Sequence, residues 1–94
     1  MIIVRNSFTA KPGRAGKLAA HFKEISAIAK LRNPRVYTDV TGEFNTVVFV
    51  YDVESMAEWE ETYKQYTSDP KFREKAQEYL DHWTTGRREF FRQV

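Results

Sequence analysis

The chain has 94 residues, 41% of them hydrophobic and 30% charged. That is one domain, residues 1–94, with material for a single core and charges too evenly signed for a disordered tail. It contains no cysteine, which excludes disulfides, thiol nucleophiles and cysteine-type zinc sites. Two histidines, at 21 and 82, are thin material for a metal site, and none is expected. No apolar run is long enough to span a bilayer, and the opening Met1-Ile2-Ile3-Val4 is charged too soon for a signal peptide. The expectation is a soluble, cytoplasmic protein with no membrane partner.

Residues 2–10 read as a strand, with Ile2, Ile3, Val4 and Phe8 and little helical period. Lys11-Pro12-Gly13 breaks it. Residues 14–31 read as a helix whose apolar arc holds Leu18, His21, Phe22, Ile25, Ile28 and Ala29. Asn33-Pro34 stops that helix, and residues 35–41 form a second strand. A hairpin over residues 41–45 leads to residues 46–53, Thr-Val-Val-Phe-Val-Tyr-Asp-Val. This third strand is apolar on both faces, so it is central and covered on both sides.

Ser55 opens a second helix, with Glu58 placed to complete a capping box. Met56, Trp59, Tyr63 and Tyr66 form its arc. Asp69-Pro70 starts a third, short helix, with Asp69 as N-cap and Pro70 in the first turn. Its arc is Phe72, Ala76, Tyr79 and Trp83. Thr85-Gly86 breaks it, and residues 87–93 form the last strand. The order β-α-β-β-α-(α)-β is the ferredoxin-like, split βαβ arrangement of the α+β class. It predicts a four-stranded antiparallel sheet with helices on one face. The apolar residues on the other face predict a second copy packed there, sheet to sheet, about a two-fold axis.

The charge is divided along the chain. Residues 1–35 hold eight Lys/Arg and one acid, residues 36–63 hold seven acids and no base, and residues 64–94 hold seven bases and five acids. Two readings fit: a basic first helix beside an acidic second helix, or two copies meeting with opposite signs. Either way the acidic middle speaks against nucleic acid, which it would repel. The element order is also used by RNA-binding RRM domains, and Phe49-Val50-Tyr51-Asp52 loosely resembles their aromatic strand, but the basic-Gly-aromatic start is missing.

Several polar and aromatic residues are candidates for a site. His21 lies in the apolar arc of the first helix. It is either a general base facing a pocket above the sheet, since imidazole titrates near neutral pH, or a half-buried histidine satisfied by a neighbour. Asn6 shares the face of Val4 and Phe8, where it either binds a ligand oxygen or bonds the next strand. Tyr63 could present a phenol to the pocket as a second base. Phe8, Trp59 and Tyr51 could wall an aromatic ligand, although Trp59 also suits plain core. His82, beside Trp83, is a further ligand contact or a helix-end cation. Arg87, Arg88 and Glu89 are expected to form ion pairs across strands or subunits. No nucleophilic triad, phosphate loop or carboxylate pair assembles.

These residues resemble the dimeric α/β-barrel superfamily over nearly the whole chain. Arg5-Asn6-Ser7-Phe8, followed by Lys11-Pro12-Gly13, is similar to the opening of antibiotic-biosynthesis-type monooxygenases. Gly42-Glu43-Phe44-Asn45 before the valine-rich strand, with Ser68-Asp69-Pro70-Lys71-Phe72 later, is similar to the NIPSNAP branch. The resemblance implies a homodimer whose sheets close into a barrel, with a pocket in each protomer between sheet and helices. It also implies two alternatives: a cofactor-free oxygenase, isomerase or cyclase acting on an aromatic or polyketide-like substrate, or a non-catalytic dimer that binds a ligand or a protein. NIPSNAP proteins tend to carry Arg where this chain has Asn6. Haem-degrading members carry Asn there, but their ligating His falls on Ala76 here, so no haem is expected.

Overall fold

A computed structural model describes all 94 residues. The elements are β1 (Ile2–Ala10), α1 (Ala15–Ala29), β2 (Arg32–Thr38), β3 (Thr46–Val53), α2 (Met56–Thr67), α3 (Pro70–Tyr79) and β4 (Trp83–Arg92). The strands form one antiparallel sheet in the order β2-β3-β1-β4. The ferredoxin-like α+β arrangement is thus present, with the two most apolar strands in the middle.

Register explains the two faces. Asn6 pairs with Phe49 on one side and Arg88 on the other, and Val36 pairs with Phe49. One row across the sheet is therefore Val36-Phe49-Asn6-Arg88, facing the helices. The flanking rows add Tyr51, Val4 and Phe90, and Val47, Phe8 and Gly86. Period-two alternation puts Ile3, Val48, Val50, Tyr37 and Phe91 on the opposite face. There Tyr37 is 53% and Phe91 46% exposed.

Helix α1 anchors the helical layer by burying Leu18, His21, Phe22, Ile25 and Ser26, a stripe at the three- and four-residue spacing of one helix face. Ser26 Oγ donates to Phe22 O at 2.8 Å. The helix ends before the expected position, at Ala29, because Lys30 turns left-handed (φ 52) and its N–H bonds Ser26 O. Such caps favour glycine, so the sequence carries no sign of it. Strand β2 then starts at Arg32 rather than 35. Asn33 (φ 47) and Pro34 form an irregularity in the ladder, where a proline without N–H is tolerated.

Helices α2 and α3 cap as expected. Ser55 accepts from Glu58 N at 3.1 Å, and the Glu58 carboxylate returns to Glu54 N rather than to Ser55 N. Asp69 accepts from Lys71 N at 2.8 Å. Neither helix buries a residue completely, so this part of the roof packs lightly.

The largest departure lies at the end of the chain. Helix α3 stops at Tyr79, and Trp83 begins β4. Trp83 fits the helical period but packs from the strand, its ring 5.1 Å from Phe8 and 5.6 Å from Tyr79. Gly86 is not a break. It lies within the strand because the Phe8 ring occupies the place of its side chain: a Cβ there would sit 2.7 Å from Phe8 Cδ1. Gly86→Ala should displace that ring and cost about 1–3 kcal/mol, as overpacking does. Urea titration checks it, and an unchanged midpoint would show that Phe8 moves freely.

The divided charges meet partly within the chain. Arg32 pairs with Glu54 at 2.6 Å and Glu58 at 3.3 Å, and Arg35 with Asp52 at 3.0 Å. The bases come from β2, not from the first helix; the one ion pair of α1 joins Glu24 to Lys75 of α3. Arg87, Arg88 and Glu89 form no ion pair within the chain. No helix is long and apolar enough to cross a membrane.

Candidate functional site

A cavity of about 120 Å³ lies between the sheet and the helices. Its floor is Asn6 and Phe8 of β1, Phe49 and Tyr51 of β3, and Arg88 of β4. Its roof is His21, Phe22 and Ile25 of α1, Tyr63 and Tyr66 of α2, and Phe72 and Tyr79 of α3. The strand rows above and the α1 stripe bring Asn6 and His21 to the same space, although 15 positions separate them. A shallow cleft over β4 shares Asn6, Phe8, Tyr79 and Arg88 with the cavity, so Arg88 borders both.

Apart from tyrosines, three polar side chains reach the cavity. Asn6 is 4% exposed. Its Nδ2 donates to Phe49 O at 3.3 Å, and its Oδ1 accepts from Arg88 Nε at 2.7 Å. The bond to the neighbouring strand is therefore present, and the arginine is its second partner. His21 is 6% exposed and stacks on Tyr79, centroids 5.1 Å apart and planes 11° off parallel. It makes no side-chain hydrogen bond within the chain. Burial lowers its pKa from 6.5, against the opposing pull of Glu24 and Glu78; His82 and Lys75 add to the lowering. The imidazole is neutral at pH 7, with nitrogen lone pair intact.

Arg88 is the third. Its guanidinium carbon lies 5.2 Å from the Trp59 ring centroid and 5.1 Å from that of Tyr63. Those rings stack on each other at 5.1 Å. Trp59 does not line the cavity. It stands one layer behind, donating from Nε1 to Tyr51 Oη at 2.9 Å and meeting Phe90 edge-on at 5.0 Å.

Burial raises the pKa of Tyr51, Tyr66 and Tyr79, the last to about 12, while the Arg88 charge opposes each shift. These phenols stay protonated near neutral pH. They can donate hydrogen bonds but not act as resting bases. Tyr51 already accepts from Trp59 and faces the Tyr66 hydroxyl, so its own proton is free to point elsewhere.

His82 sits outside the cavity, in an outer cleft with Lys17, Glu24 and Glu78, its Nδ1 3.3 Å from Arg14 Nη1. His21 lines this cleft too, and forms the wall between the two spaces. No three His, Asp or Glu side chains converge as a metal site requires.

The lowered pKa of His21 has a sign in stability. The unfolded imidazole binds its proton first as pH falls, so the folded state loses stability below pH 6.5. Replacing His21 with Phe should flatten the fall in stability between about pH 7.5 and about pH 5. Urea midpoints at the two pH values test it; parallel slopes for both proteins would contradict it.

No family model and no curated protein sequence matches the chain. Solved structures match it in shape. An uncharacterized NIPSNAP domain protein from Burkholderia xenovorans superposes with TM-score 0.87 at 13% identity, over 100% of this chain and 95% of that one. A NIPSNAP family protein from Agrobacterium tumefaciens gives 0.87 at 11%, over 99% and 85%. The chain shares its fold with these NIPSNAP proteins. A putative antibiotic biosynthesis monooxygenase from Chloroflexus aurantiacus gives 0.78 at 16%, over 99% and 92%, so the monooxygenase-like proteins share the architecture. At these identities the likeness is one of fold, which hosts more than one function.

The fold places Asn6, Phe8, His21, Tyr51 and Tyr63 of the candidate residues around the cavity, Trp59 behind it and His82 outside it. Sequence reasoning passed over Arg88. The alternation Arg88-x-Phe90 puts it on the inner face once the strand register is known, but its place between Arg87 and Glu89 marks it as one of a charged run.

Proposed function

We propose that the protein is a cytoplasmic homodimer that binds a small aromatic molecule in the cavity between sheet and helices. The observation that carries this reading is the wall itself: aromatic rings from five elements enclose a space with three non-tyrosine polar groups. Sites of that make-up suit a flat apolar ligand oriented by few polar contacts. A dry cavity of about 150 Å³ holds benzene, so a volume of about 120 Å³ admits one ring at most. A fused, polyketide-sized molecule would have to extend through the cleft over β4. The dimer rests on the sheet face opposite the helices, where Tyr37 and Phe91 are exposed and Ile3 and Val48 are only partly covered by this chain.

A titration with phenol, followed by NMR, tests the binding. Shifts confined to Phe22, Phe49, Tyr79 and their neighbours support it. Shifts scattered over the surface, or none, oppose it.

A catalytic reading of the same cavity rests on His21, neutral and free of partners. An acidic carbon, such as a CH2 beside a carbonyl or phenol ring, would give a proton to the imidazole. Asn6 and Arg88 stand where the anion's charge could be steadied. Dioxygen would then take electrons from that anion, form a C–O bond, and release water as the carbonyl forms. The sum is CH2 + O2 → C=O + H2O, with dioxygen the only oxidant. Tyr63 is the other residue placed to move a proton. Binding without oxygen uptake, in wild type and His21→Ala alike, would favour the non-catalytic dimer.

A further inference from the structure

We propose that Arg88 forms an anion subsite at the mouth of the cavity, and that the ligand is a small aromatic carboxylate. This rests on the reading of the cavity as a small-molecule site and names the chemical class it takes.

Arg88 is the only charged residue on the cavity wall, since His21 is neutral. Its position is fixed on two sides. Nε donates to Asn6 Oδ1 at 2.7 Å, and the guanidinium packs against the Trp59 and Tyr63 rings at 5.2 and 5.1 Å. Trp59 is held in turn by Tyr51. Yet no carboxylate lies within 4.0 Å of it, unlike Arg32 and Arg35, which are paired. Its two terminal nitrogens make no hydrogen bond within the chain. Four N–H donors thus remain, on a cation whose orientation is set by an amide and two rings. A fork of this kind matches two carboxylate oxygens. Because Arg88 lines both the cavity and the cleft beyond it, a carboxylate at the fork leaves an attached ring free to enter the aromatic chamber.

Asn6 is then a positioning residue. Its Oδ1 holds Nε, and the strand bond to Phe49 O prevents the amide from turning away.

The test compares benzoate with methyl benzoate, which has the same ring and no charge, by calorimetric titration. Wild type should bind benzoate more tightly by on the order of tenfold or more, as a hydrogen-bonded charge does, and the gap should narrow with added salt. Arg88→Gln should remove the preference, so that the variant binds benzoate no more tightly than methyl benzoate. Asn6→Asp keeps an acceptor for Nε, loses the donor to Phe49 O and cancels the charge, and should also abolish the preference. Equal binding of the two probes by wild type overturns the anion subsite alone. A preference that survives Arg88→Gln does the same. Binding of neither probe overturns the subsite together with the cavity reading.

Discussion

Phe49→Ala should cost about 3–5 kcal/mol, the range for emptying a buried aromatic position. Phe49 is 5% exposed, stacks on Phe22 at 4.9 Å and 14°, and meets Tyr51 at 5.4 Å. It belongs to the central strand, so its neighbours on both sides are fixed in the sheet. Domains of this size are stable by about 5–15 kcal/mol in total. The melting temperature should therefore fall by more than about 12 °C. The same change enlarges the cavity. A two-ring ligand such as naphthalene should recover part of the loss, because binding to the folded state raises its stability. Calorimetric scans with and without naphthalene measure both effects. A loss below about 1 kcal/mol would mean that the lightly packed α2 and α3 sink into the vacated space, and that the cavity is not held open by its walls.

Val48→Asp should convert the proposed dimer to a monomer. Val48 lies on the central strand, facing away from the helices, between Ser7 and Tyr37. In a single chain an Asp there stays hydrated and costs little. Between two sheets it would bury an unpaired carboxylate, which costs several kcal/mol and weakens association on the order of a hundredfold or more. A two-fold axis repeats the charge, so each interface carries the penalty twice. Sedimentation at micromolar concentration should give twice the chain mass for wild type and the chain mass for the variant, with unchanged circular dichroism. A monomeric wild type would remove the dimer. A dimeric variant would move the interface elsewhere, to the hairpin where Val40 and Phe44 are 96% and 82% exposed.

Much of this architecture is legible in the residues. The run Thr46–Val53 fixes a central strand at both ends, because no helix face needs apolar side chains on every side. Ser55 and Asp69 mark helix starts through a local bond that depends on few other residues. The inner face of β1 follows from alternation, which brings Asn6 toward the helices and so toward His21.

The misreadings have physical causes. Lys30 takes a left-handed cap without a glycine to announce it. Trp83 continues the period of α3 and is claimed for a helix that ends before it. Gly86 looks like a break because its reason for being small is a ring from β1, far away in sequence. Arg88 looks like surface charge because its partners, Asn6, Trp59 and Tyr63, come from two other elements. In the last three cases the missing information is a tertiary neighbour, which local pattern does not carry.

The aromatic cavity is tested most directly by a crystal structure of the wild-type protein soaked with bromobenzene, a single ring without charge. Bromine and ring density should lie within the cavity, between the Phe49 floor and the His21–Tyr79 roof, with Asn6 and Arg88 still joined. Bromine found only on the protein surface, with Phe8 and Tyr79 closed across an interior that admits no ring, would contradict it.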